Sequence, residues 1–312
     1  MINIETNKIY NEDCITYMRT LPNECIDLIV SDPPYYKAIN EKWDKQWKTE
    51  EEYLNWCQDW FDECVRILKP TGVFYCYGNF DILSKQKVLI FDKQLNFRQN
   101  ITLSKGLRAI AGRTSDKLRM FPTASEYLLY YTKQKLDNIN LEIANYLRQE
   151  KDKCYQNGFN DKKLRELCGM SLKGGGALCH YWSASQWRFP AEEHYIKLQQ
   201  TGYFQKSYKE LKDLYEDKKH TFNLPTGVTD VWEFIPDKIR YGHKTQKPQD
   251  ITDRIIKASS NEGDLVFIPF AGSGSEIESC IRNNRNYIAT EIDNTYIEDI
   301  IKPRINKLKN IN

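Results

Sequence analysis

Ser31-Asp32-Pro33-Pro34-Tyr35 follows the apolar run Ile26-Asp27-Leu28-Ile29-Val30 without a spacer. A short run this rich in branched apolar residues reads as a strand buried on both faces, and two successive prolines cannot continue its hydrogen-bond ladder. The chain must therefore turn out at the strand's carboxyl edge. In an open α/β sheet that edge is where ligands bind, so a carboxylate, a rigid Pro-Pro corner and an aromatic ring stand where chemistry is usually done. Taken alone, the stretch also fits an ordinary proline turn with Tyr35 as a half-buried ring.

Far downstream, Asp264 to Phe270 is another near-continuous apolar run, followed by Ala271-Gly272-Ser273-Gly274 and a helical stretch from Ser275 to Asn283. Glycines let the backbone approach a ligand closely, and the helix they open carries partial positive charge at its amino end. Tyr287 to Asp293 reads as the next strand, completing a strand-turn-helix-strand unit. Glu291 lies near its end, about 20 residues beyond the loop, the spacing at which an acid reaches ribose hydroxyls in dinucleotide-binding folds.

Between these stretches the expected elements alternate. Thr49 reads as the N-cap of a helix whose stripe of Tyr53, Trp56, Trp60, Phe61 and Cys64 suits packing on a sheet, ended by Lys69-Pro70-Thr71-Gly72. Val73 to Tyr77, Phe97 to Leu103 and Glu126 to Thr132 read as strands. From about Gln134 to Asn223 the chain turns polar and lysine-rich, with helical stretches at Leu164 to Cys168 and Tyr203 to Tyr215 and no repeat of a strand-helix unit. It reads as an inserted module, and the core resumes at Val231.

A length of 312 residues allows one large α/β domain or a domain with an insertion. Hydrophobic content of 40% and charged content of 28% are those of a globular protein. No apolar run approaches membrane-spanning length and the N-terminus lacks a basic region followed by an apolar core, so a cytoplasmic location with no membrane partner is expected. Nine scattered cysteines form no Cys-x-x-Cys pair, and the spacings of Cys154, Cys168, Cys179 and His180 fit no common zinc pattern. Free thiols and no metal are expected.

The net charge of +2 is uninformative, but the stretch from Lys105 to Lys133 carries a local surplus of +4. Lys105, Arg108, Arg113 and Arg119 there could meet a phosphate backbone, although a solvated face is the plainer alternative. Within the insert, the run from His180 to Phe189 holds Trp182, Gln186 and Arg188, which are rings and donors of the kind that read nucleic acid bases.

Asp32-Pro33-Pro34-Tyr35 resembles the catalytic motif of the amino-group DNA methyltransferases, and Phe270-Ala271-Gly272-Ser273-Gly274 is similar to their Phe-x-Gly-x-Gly cofactor loop. The order of catalytic motif, insert and cofactor loop resembles the family's beta arrangement. The resemblance runs from about Ile4 to Ile300, excluding the insert. It implies an α/β fold: a permuted, Rossmann-like S-adenosylmethionine-dependent methyltransferase with a mostly parallel sheet, helices on both faces and an inserted target-recognition region. Residues 1–133 would be the catalytic half of the core, 134–230 the target-recognition insert, and 231–312 the cofactor-binding half.

The resemblance also implies roles. Asp32 and the Pro33 carbonyl would each accept an N–H of an exocyclic amine, turning its lone pair toward the methyl group, with Pro34 fixing the corner and Tyr35 stacking on a base flipped from double-stranded DNA. Asp13 and Cys14 would meet the cofactor's adenine, and Thr245 and Lys247, in the segment His243 to Pro248, its methionine end. Asp32, Phe270, Gly272, Ser273, Gly274 and Glu291 complete the cofactor set. The family usually carries Asp where this chain has Ile268, and Thr after the second loop glycine, where Ser275-Glu276 stands here. Glu276 is the expected substitute for the missing carboxylate.

In the family, Asp before Pro-Pro-Tyr usually goes with adenine N6 and Ser with cytosine N4. Asp32 occupies that place and Ser31 stands one residue too early, which favours site-specific adenine-N6 methylation, as in the modification half of a restriction-modification system. A homodimer and a cognate restriction endonuclease are the further partners the resemblance suggests. Cytosine-N4 methylation is one alternative, and a non-catalytic DNA-binding protein on a methyltransferase scaffold another.

Overall fold

The structure, a computed structural model, describes residues 4–37, 45–106, 119–134, 136–171, 177–183, 186–216, 219–223, 226–234, 237, 241–242 and 245–309. Two compact units divide it: a sheet unit of residues 1–134 and 220–312, and a helical unit of residues 135–219.

The sheet unit is built on strands β1 (Lys8–Tyr10), β2 (Ile26–Ser31), β3 (Leu68–Gly78), β4 (Asn96–Ser104), β5 (Ser125–Thr132), β6 (Val231–Glu233), β7 (Leu265–Ile268) and β8 (Asn286–Thr290). They form one sheet in the order β1-β8-β7-β2-β3-β5-β4-β6. Every pairing is parallel except those of β5, which runs antiparallel to both β3 and β4. The sheet is thus mostly parallel, and the reversal of β5 matters for the site. Because β5 opposes β3, its first residues lie beside the carboxyl end of β3, with Tyr127 opposite Gly78.

The helices are α1 (Cys14–Met18), α2 (Glu50–Ile67), α3 (Phe80–Leu89), α4 (Leu136–Gln156), α5 (Asp161–Cys168), α6 (Glu192–Gln199), α7 (Tyr208–Glu216), α8 (Gln249–Ser259), α9 (Ser275–Arg282), α10 (Asn294–Tyr296) and α11 (Lys302–Lys309). Alternation along the strands sends side chains to two cores, one on each face. Ile29, Phe74, Phe267 and Ile288 pack with residues of α1 and α2, including Met18, Tyr53, Trp60 and Phe61. Leu28, Val30, Tyr75 and Val266 pack on the other side with Ile255 and Ile256 of α8 and Ile277 of α9. Strands buried on both faces are what a parallel sheet covered by crossover helices requires.

Thr49 caps α2 by accepting the Glu52 N–H at 3.1 Å. The helix does not end in a loop, however. Lys69-Pro70-Thr71-Gly72, read from sequence as a stop between helix and strand, is part of β3, where the pairing with β2 slips between Ile26 and Leu28. A proline is tolerated at such an irregularity because no regular ladder bond is lost there.

The helical unit holds α4 to α7 around its own core of Leu147, Leu164, Tyr195, Phe204 and Leu211. Its first and longest helix, Leu136–Gln156, was not legible from composition, and α7 begins at Tyr208, later than the expected Tyr203. Among the described residues no helix is long and apolar enough to cross a membrane, and no cluster of potential metal ligands occurs. The cysteines are free, and most are buried.

Candidate active site

The carboxyl edges of β1, β8, β7 and β2 converge on one cleft of about 320 Å³ in the sheet unit. Each strand delivers its next residues to it, as the topology of a parallel sheet dictates. Asp13 and Cys14 come after β1, Asp32 to Tyr35 after β2, Phe270 to Ser273 after β7, and Glu291 after β8; Thr245, Lys247 and Glu276 complete the expected set in the lining. Gly274 stands behind it, at the start of α9.

On the wall formed after β2, Asp32 Oδ1 accepts the Tyr35 hydroxyl at 2.5 Å and the Lys247 ammonium at 3.0 Å. Among the described residues no donor meets Oδ2. Lys247 also donates to the Tyr35 hydroxyl at 2.9 Å and to Glu126 Oε2 at 3.4 Å. Its side chain is only 7% exposed. Burial alone would lower the Lys247 pKa, but Asp32 and Glu126 outweigh it and hold the ammonium above its ordinary value. Lys247 in turn pulls Glu126 down to about 2, with Lys105 contributing from the other side. Burial, reinforced by Asp32, raises the Tyr35 phenol well above its ordinary value, so it acts as a neutral donor.

Glu126 lies near the start of β5 and reaches this edge only because that strand is reversed. The sequence shows it as a strand residue without an evident role, since its partner stands 121 positions away. The corner itself is braced from α2. Tyr53 donates its hydroxyl to the Pro34 carbonyl at 2.7 Å and accepts from Gln86 at 3.1 Å, fixing the backbone that carries Asp32.

On the opposite wall the glycine loop takes the backbone the sequence anticipates. Gly272 and Gly274 have φ of 49° and 73°, and a Cβ on Gly274 would sit 3.1 Å from Ile301 Cγ2. Either position disfavours a side chain, the second on two counts. Glu291 Oε2 accepts the Gly272 N–H at 2.8 Å and Oε1 the Asp293 N–H at 3.0 Å, which ties loop and acid together. Burial raises the Glu291 pKa. From α11, Arg304 donates to the Ser273 carbonyl at 2.9 Å and pairs with Glu278 at 2.5 Å, both buried, so the loop is stapled from beneath. Phe270 packs its ring 5.7 Å from Trp56, a cleft residue that sequence reading assigned to packing alone.

Other expected residues lie as follows. Asp13 caps α1, accepting the Thr16 N–H at 3.0 Å. Ile268 is buried in the sheet core and does not line the cleft. Lys105, expected on phosphate, pairs with Glu126, and Arg119 is exposed. Arg108, Arg113 and His243 lie outside the described residues. In the helical unit Gln186 and Arg188 are exposed, while Trp182 is half-buried against its core.

The family model described as DNA methylase, of N6 and N4 methyltransferases, matches residues 26–302. The type II methyltransferase M.HinfI of Haemophilus influenzae is 26% identical over 99% of this chain, and M.BamHI of Bacillus amyloliquefaciens 28% identical over 96%. The chain spans 70% of the first and 57% of the second. Among solved structures, the M1.HpyAVI–SAM complex superposes with a TM-score of 0.52 at 18% identity, covering 95% of this chain and 98% of that one.

Proposed function

This chain belongs to the DNA methylase family of N6 and N4 amino-methyltransferases, and we propose that it methylates the N6 amino group of adenine within a specific sequence of double-stranded DNA. The observation that supports this reading is the convergence of Asp32, with Oδ2 open to a donor, and the Glu291-anchored glycine loop on one cleft. Its volume of about 320 Å³ lies in the range of small-ligand sites. The donor set also fits S-adenosylmethionine: an acid for a ribose, a glycine loop opening a helix for the methionine end, and buried acids for a cation. Asp13 and Cys14 would hold its adenine, Glu291 its ribose, and Gly272, Ser273, Thr245 and Glu276 its methionine portion. Bound there, S-adenosylmethionine supplies an electrophilic methyl group.

An exocyclic amine is a poor nucleophile because its lone pair is conjugated into the ring. Asp32 Oδ2 accepting one N–H and the Pro33 carbonyl the other would draw the nitrogen toward a tetrahedral shape and aim its lone pair. The Pro34 carbonyl is already taken by Tyr53, which leaves the preceding carbonyl for substrate. Lys247 and Tyr35 hold Asp32 oriented from its other oxygen. Tyr35 would pack its ring on the flipped base.

Adenine is favoured over cytosine by Asp32 directly preceding Pro33-Pro34-Tyr35. Recognition would fall to the helical unit, through Trp182, Gln186 and Arg188, with Arg119 serving phosphates. Homodimerisation and a cognate restriction endonuclease belong to the same proposal. Single-molecule sequencing of DNA from a methylation-deficient bacterial host expressing the chain tests it. The expected result is modified adenines confined to one short recurrent sequence; modified cytosines would replace the N6 reading by N4, and an unmodified genome would count against both.

A further inference from the structure

Glu276, in the first turn of α9, is 5% exposed, and its Oε1 is buried with no hydrogen-bond partner among the described residues. Such an orphan is costly in a folded protein unless it serves something absent from the free molecule. Glu278, two residues on, shows the contrast, since Arg282 and Arg304 fully engage it.

We propose that Glu276 exchanges a proton for the positive charge of the methyl donor, so that the cleft tells the cationic sulfonium from the neutral thioether left after transfer. The inference rests on the cofactor reading given under Proposed function. Charged and titratable groups face Glu276 from every side. Asp32 after β2 opposes its ionisation, while Lys247 before α8 and Arg304 of α11 favour it. Tyr77 of β3 and Cys280 of α9 also feel its charge, but burial keeps both neutral. Burial is the largest influence, with Asp32 next, and together they raise the Glu276 carboxyl to about 7. The free protein is therefore partly protonated there at neutral pH. A cation entering the cleft favours the carboxylate, and the displaced proton leaves to buffer. The thioether product carries no such charge and leaves the proton in place. Discrimination follows without any difference in shape, which helps the product to depart.

Calorimetric titration of the intact protein with S-adenosylmethionine and with S-adenosylhomocysteine, in buffers of different ionisation enthalpy, reads this directly. The expected result is fractional proton release with the first ligand and none with the second. Affinity for S-adenosylmethionine should tighten by roughly tenfold between about pH 6 and 8, the full effect of one proton leaving a group titrating near 7. Glu276→Gln should abolish both the release and the pH dependence, with a cooperative thermal transition close to that of the wild type certifying that the variant is folded. Equal pH profiles for the two ligands, or release that persists in Glu276→Gln, would overturn the proposal while leaving the cofactor reading intact. Binding of neither ligand to the wild-type protein would overturn both.

Discussion

Asp32→Ala is expected to lower kcat for methyl transfer by roughly 10²–10³-fold, the usual cost of removing one group aimed at charge that develops in the transition state. Asp32 stands at the end of β2 with one oxygen held by Tyr35 and Lys247 and the other open to an N–H. The contact it offers strengthens as the amine pyramidalises, so kcat and kcat/KM should fall together. Asp32→Asn should fall between wild type and Asp32→Ala, because an amide oxygen still accepts but carries no charge. Single-turnover rates on DNA containing the target sequence distinguish the three proteins. A near-wild-type rate in Asp32→Ala would remove the residue from the reaction.

Lys247→Met is expected to destabilise the fold by about 3–5 kcal/mol, the cost of stripping one partner from a buried ion pair. The lower end applies, since the Asp32 and Glu126 side chains are each 21% exposed and Glu126 keeps Lys105. The variant leaves two carboxylates facing each other with no cation between them. Adding Glu126→Gln should therefore recover part of the loss, a coupling of about 0.5–3 kcal/mol between neighbours. Denaturant midpoints at constant slope give these values.

The pH dependence has a definite sign. Glu126 is held down to about 2 from an ordinary 4.5, so its contribution is complete above about pH 4.5 and lost as pH falls through about 2. Lys247 is held above its ordinary 10.5, so its contribution is complete below that value and lost only as pH rises past it. Glu126→Gln should flatten the acid limb of the stability curve and leave neutral pH dependence to other groups. An unaltered acid limb would mean that Glu126 carries none of it.

Much of this site was legible because it sits where strands must stop. Pro33 and Pro34 cannot pair, so the turn after β2 follows from covalent geometry, and Gly272 and Gly274 mark backbone that side chains would strain. Those features are local. What escaped was set by the sheet's order: Glu126 becomes a partner of Lys247 only because β5 runs against its neighbours, and Tyr53 braces Pro34 only because α2 packs beneath that edge. Pro70 and Gly72 misled for the converse reason, since a slip in register lets a strand keep residues that usually end one. Trp56 reads as one of a helical stripe of packing aromatics, and nothing in that spacing separates the ring that reaches the cleft from those beneath it.

On the proposed mechanism, Asp32 directs a methyl group from S-adenosylmethionine to an adenine amine. This mechanism is tested most directly by incubating the protein with labelled S-adenosylmethionine and unmethylated double-stranded DNA, then digesting the product to nucleosides and identifying the labelled one. Label in N6-methyldeoxyadenosine, absent when Asp32→Ala is used, is the predicted result. No label in any nucleoside from a protein that binds the cofactor would contradict the account.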